Sequence, residues 1–94
     1  MTIDIKLLGI FKEAFGSDHT SMEVETPRSL REVIMEITKS SPKLRRVLID
    51  AELLDPRPNA AILVNGKEIG VLKGLETEIK GGDKIVLIPV THGG

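Results

Sequence analysis

The chain has 94 residues, 40% of them apolar and 29% charged, with a formal net charge of −1. That length fits one small domain, which buries roughly 60–68% of its unfolded surface and needs no staples. The charge gives no electrostatic support to direct nucleic acid binding. Two phenylalanines and no Tyr or Trp leave no stacking platform. The absence of cysteine excludes disulfides, thiolate metal sites and a cysteine nucleophile. No stretch reads as a signal peptide or reaches membrane-spanning length, so the expected address is the cytoplasm, with no membrane contact.

Thr2 to Leu8 alternates Ile3, Ile5 and Leu7 with Thr2, Asp4 and Lys6, the period of a half-buried strand. Ile10, Phe11, Ala14 and Phe15 then recur at helical spacing and stop at Gly16, which suits a helix C-terminus. Ser17-Asp18-His19 reads as a turn, and Thr20 to Glu25 as a second strand with Met22 and Val24 on one face. Ser29-Leu30-Arg31-Glu32 is a capping box. Behind it Leu30, Val33, Ile34 and Ile37 form the apolar stripe of the main helix. Pro42 forbids its continuation. Leu44, Val47 and Leu48 predict a second short helix over residues 43–49.

Asp55 to Asn59 reads as a rigid loop and Ala60 to Val64 as a strand. Asn65-Gly66 is a two-residue hairpin turn, because both positions take positive φ. Lys67 to Ile69 returns as a short strand, and residues 70–77 are expected to be irregular, with Leu75 and Ile79 as core anchors. Gly81-Gly82-Asp83 leads into the last strand, Lys84 to Val90. A helix between a starting hairpin and later strands predicts an α+β domain: a mixed sheet of four to five strands with one main helix on one face. The right-handed crossover rule sets the first and last strands side by side and parallel. That arrangement is the ubiquitin-like β-grasp, assigned to residues 1–90, with residues 91–94 as a flexible tail.

The last strand is apolar on both sides. If Ile62, Val64, Ile85 and Leu87 face the helix, then Leu63, Val86 and Ile88 form an exposed apolar patch on the other face, beside the tail. Such a patch serves a protein partner, unless the Leu53-Leu54 loop folds over it. No His, Asp or Glu cluster has metal-ligand spacing, so no metal and no catalytic residue are expected. His19 reads as a surface residue and Lys43, Arg45 and Arg46 as a solvated helix face.

What remains is the ending Pro89-Val90-Thr91-His92-Gly93-Gly94. Glycine lacks a Cβ, so a Gly-Gly tip is thin enough to thread into another protein's active site. Ile5-Lys6-Leu7-Leu8 with Phe11 to Gly16, Leu63-Val64-Asn65-Gly66, and Gly82-Asp83 through Gly93-Gly94 together resemble the sulfur-carrier branch of ubiquitin-like proteins. That branch includes the small subunit of molybdopterin synthase, the thiamine sulfur carrier and the ubiquitin-related modifier. Pro89-Val90 resembles the first of these and His92-Gly93-Gly94 the last.

The resemblance implies that the chain is a co-substrate rather than an enzyme. An activating enzyme, using ATP that this chain does not itself bind, adenylates Gly94. A sulfurtransferase then helps convert it to a thiocarboxylate. Thr91, His92 and Gly93 serve tail recognition, and the Val86/Ile88 face docks the activating enzyme. The sulfur acceptor stays open between a tRNA base and a cofactor precursor made with a molybdopterin synthase large subunit. Conjugation to target-protein lysines is equally allowed, and a plain binding module with an incidental tail is the remaining reading.

Overall fold

The computed structural model describes residues 1–90. In chain order these form β1 (Thr2–Leu7), α1 (Gly9–Phe15), β2 (His19–Glu23), β3 (Arg28–Ser29), α2 (Leu30–Ser40) and α3 (Pro42–Leu48). Then follow β4 (Ala60–Val64), β5 (Lys67–Glu68), two 3-10 turns (Ile69–Val71 and Gly74–Glu76), β6 (Glu78–Ile79) and β7 (Lys84–Pro89). The main sheet runs β2-β1-β7-β4-β5. The first and last strands lie parallel at its centre, with Ile5 beside Ile85 and Leu7 beside Leu87. All other pairings in this sheet are antiparallel. This is the expected α+β β-grasp.

Local chemistry sets the element boundaries. The Ser29 hydroxyl accepts the Glu32 N–H at 3.2 Å, and the Glu32 carboxylate accepts the Ser29 N–H, so both halves of the capping box form. α2 buries Leu30, Val33, Ile34 and Ile37 against the sheet. Ser41 closes α2 and caps α3 by accepting the Leu44 N–H, and Pro42 takes the first position of α3, where its missing N–H costs nothing. Gly16 (φ +93°) ends α1, its N–H donating to the Lys12 carbonyl at 2.9 Å. Asn65 (φ +51°) and Gly66 (φ +83°) make the hairpin turn between β4 and β5.

Several boundaries differ from the sequence reading. His19 begins β2 instead of lying in a turn, because it pairs with Lys6. Ile69 leaves the short strand and enters a 3-10 turn that buries it. Arg28–Ser29 pairs with Glu78–Ile79 in a separate two-stranded ribbon. Two-residue strands carry no periodic signal, which is why this ribbon has no trace in the pattern. Both short helices of the sequence reading form, and they join the main helix in one layer: α1 and α3 pack against each other beside α2, with Phe11, Leu44 and Leu48 buried.

A polar clamp joins the hairpin turn to the start of β7. Asn65 Nδ2 donates to Asp83 at 3.0 Å, and Asn65 Oδ1 accepts the Lys84 N–H at 2.9 Å. Asp83 also accepts the Lys80 N–H at 2.8 Å. Burial pushes the Asp83 carboxyl up, but the bonds from Asn65 and Lys80 outweigh it and hold the group below the usual carboxylate range. A depressed carboxyl stabilises the fold above its unfolded pKa, near 4, and that contribution disappears as the pH falls through the folded value. Asp83→Asn is therefore expected to cost about 1.5–3 kcal/mol at neutral pH. The deficit should shrink below about pH 4, as urea titrations at neutral and acid pH would show.

Candidate functional site

The side-chain alternation of the three central strands divides the sheet into two unlike faces. Ile3, Ile5, Leu7, Ile62, Val64, Ile85 and Leu87 are buried beneath the helices. Val86 lies opposite Leu63, and Ile88 opposite Ala61, on the face no helix covers. All four are half-buried by their neighbours, so the patch is less exposed than the strand alternation predicts. Leu63, Val86 and Ile88 thus sit together at the sheet centre. The Leu53-Leu54 loop does not reach them: both leucines are exposed, and Leu54 lies among Pro42, Arg45, Arg46 and Ile49 on the helical side.

The register also brings charged residues to the rim of the patch, which strand-by-strand reading missed. Lys6 stands beside Val86 and Asp4 beside Lys84 on one flank. Glu68 faces Leu63 on the other. His19 pairs with Lys6, and its Nε2 lies 3.5 Å from Asp4 Oδ1. Asp4, Lys6, His19, Lys84 and Val86 line a depression of about 240 Å³. No spacing rule finds this set, because its members come from three strands whose order is not sequential.

β7 carries the chain out of the domain. The Val90 N–H donates to the Asn59 carbonyl at 3.1 Å, so pairing with β4 persists to the last described residue. The Leu87 carbonyl accepts from Leu8 on the opposite side. Pro89, two residues further, turns its missing N–H toward the place where β1 has already given way to α1, so no ladder bond is lost. Its ring packs on Gly9: a Cβ at Gly9 would stand 2.8 Å from Pro89 Cγ, and Gly9 has φ +53°. The strand exit is thereby locked to the β1–α1 corner.

Thr91, His92, Gly93 and Gly94 lie outside the described residues. Among the described residues no group of three His, Asp or Glu side chains is placed to hold a metal ion. No buried side-chain polar atom lacks a hydrogen-bond partner there. Glu76, in the second 3-10 turn, pairs with Arg31 at 2.8 Å. No helix of the described residues is long and apolar enough to cross a membrane.

The profile of the ThiS family matches residues 5–94. The chain belongs to this family. Its relatives include small modifier proteins and a putative sulfur carrier protein. Small archaeal modifier protein 1 from Methanosarcina acetivorans shares 30% identity and superposes with a TM-score of 0.84, over 99% of this chain and 96% of that one. Small archaeal modifier protein 3 from Haloferax volcanii is 24% identical over the whole of both chains. The fold also recurs in a complex of subunits 1 and 2 of the molybdopterin-converting factor from Helicobacter pylori, at 22% identity and a TM-score of 0.62 over 100% of both chains.

Gly9 tests the exit geometry. Gly9→Ala adds a left-handed alanine and a clash with Pro89, and is expected to destabilise the fold by about 1–3 kcal/mol. Thermal unfolding would measure it, with Gly66→Ala as an open-space control for the backbone part.

Proposed function

We propose that this ThiS-family chain is a ubiquitin-related sulfur carrier and modifier that works through the carboxylate of Gly94. The observation that carries the reading is the family match, which runs through Gly94. The carboxylate attacks the α-phosphate of ATP in an activating enzyme and releases pyrophosphate. The resulting acyl-adenylate is open to attack. The terminal sulfur of a cysteine persulfide on a sulfurtransferase displaces AMP, and a second thiol then forms a disulfide with that cysteine and releases a thiocarboxylate, which donates sulfur in tRNA thiolation. A lysine amine displaces AMP instead when the chain is attached to a target protein through an isopeptide bond.

The activating enzyme docks on Leu63, Val86 and Ile88. Ordering a four-residue tail costs about 1–2 kcal/mol per residue. Removing apolar side chains from water contributes about 25 cal/mol per Å2. Contact with the patch therefore offsets the cost of threading Thr91 to Gly94, with His92 and Gly93 read by the enzyme. A second reading, the small subunit of molybdopterin synthase, is favoured by Pro89-Val90 before the tail. It differs only in the sulfur acceptor and in requiring a large-subunit partner.

Incubation with ATP, the activating enzyme and a sulfur donor should raise the intact mass by the difference between sulfur and oxygen. Removing Gly94 should abolish the change. An unaltered mass for the full chain would reject the carrier reading, while lysine peptides branched with this tail would report conjugation. Val86→Asp should keep the fold, since the side chain lies on the uncovered face. It should lower kcat/KM for adenylation about tenfold or more, the scale of one central interface anchor. Melting curves beside adenylation kinetics separate the two effects.

A further inference from the structure

The helical side carries a second surface that tail chemistry does not use. Two depressions of about 410 and 420 Å³ lie along α2 and α3 and share Arg45. A narrow cleft connects them, bordered by Arg31 and Met35 at one end and by Ile49 and Leu54 at the other. Met35 is 44% exposed, Leu54 60% and the adjacent Leu53 69%. The result is one trough with apolar points along it.

Its charge is one-sided. Arg28 and Arg31 are occupied by Glu32, Glu36 and Glu76. Lys39, Arg45 and Arg46 have no ion pair among the described residues. Three cations without carboxylates therefore border the exposed Met35 and Leu54.

The loop that holds the leucines is fixed. Asp50 and Asp55 bridge it through the Asp50 N–H and Asp55 carbonyl at 3.0 Å. Asp50 Oδ1 accepts the Glu52 and Leu53 N–H groups at 3.0 and 2.8 Å. The Leu54 N–H donates to the Asp50 carbonyl at 2.8 Å, and Leu54 has φ +54°. A left-handed backbone favours Gly or Asn. A leucine held there and turned to solvent is strained without a compensating burial inside this chain.

We infer that the α2–α3 trough docks an acidic, amphipathic segment of a partner protein, with its apolar residues on Met35 and Leu54 and its carboxylates on Lys39, Arg45 and Arg46. The charge complementarity selects an acidic partner, and the apolar points distinguish a peptide from a bare polyanion. The helices cover the sheet face opposite Leu63, Val86 and Ile88. An activating enzyme and the acidic partner can therefore be held at once. The inference does not depend on the chemistry of Gly94.

The test uses the full, isotope-labelled chain and a synthetic helical peptide with leucines on one face and Asp and Glu on the other. Amide shifts should concentrate at Met35, Leu54, Arg45 and Arg46, and should weaken with salt. Arg45→Glu with Arg46→Glu should weaken binding about tenfold or more, a change of about 1.4 kcal/mol. Leu54→Gly removes an anchor while easing the positive φ, so it should weaken binding without lowering the melting temperature. Val86→Asp should leave binding intact, which separates this surface from the docking of the activating enzyme. An equal response to the same peptide with Lys for its acids, or to a short single-stranded RNA, would overturn the inference. So would shifts confined to the sheet face, or no response at millimolar peptide. Concentration-dependent shifts at the trough without peptide would overturn it in favour of a second copy.

Discussion

The parallel pairing of β1 with β7 is the constraint from which the rest follows. The two strands furthest apart in sequence lie side by side at the sheet centre, with Ile5 against Ile85 and Leu7 against Leu87. Parallel neighbours need a long crossover. Here α2, α3 and the strands that follow them supply it, and the right-handed rule places the helices on one face. Closing so long a loop is entropically costly, and the fully buried side chains of both strands offset it. The same pairing leaves the other face uncovered and sends the chain out beside it.

That uncovered face explains why β7 is apolar on both sides. Ile85 and Leu87 serve the core, while Val86 and Ile88 meet Leu63 and Ala61 outside. A strand buried on one face ordinarily alternates apolar and polar residues. The departure has no use inside the domain, since the helical layer never reaches those side chains. The rim of Lys6, Lys84, Asp4 and Glu68 adds a charge pattern around the patch. Charged rims govern partner choice and encounter rate more than affinity.

Rigidity is concentrated where the chain must be aimed. Gly9 and Pro89 fix the strand exit, the Asn65–Asp83 clamp fixes the entry to β7, and the Asp50–Asp55 bridge fixes the exposed leucines. Each feature sits at the border of a surface rather than deep in the core. The molecule reads as a scaffold with two outward faces, one next to its exit strand and one across the helices. Exposed ion pairs such as Arg31–Glu76 hold the helical side in place but contribute little, typically under about 1 kcal/mol each.

Periodicity, caps and turn residues are local, and they were legible in the chain itself. The alternation in β1, β4 and β7, the Ser29–Glu32 box, the break at Pro42 and the Asn65-Gly66 hairpin all follow from neighbouring residues. The alternation even predicted which apolar residues face away from the helix. Tertiary structure alone decided what depends on register between distant strands. It paired Arg28–Ser29 with Glu78–Ile79, drew His19 into β2, and gathered Lys6, Lys84 and Glu68 around Val86 and Leu63. It also placed Leu54 among residues of the helical side. The physical reason is that a chain encodes its own periodicity at every position, whereas proximity across a sheet exists only once the loops have closed.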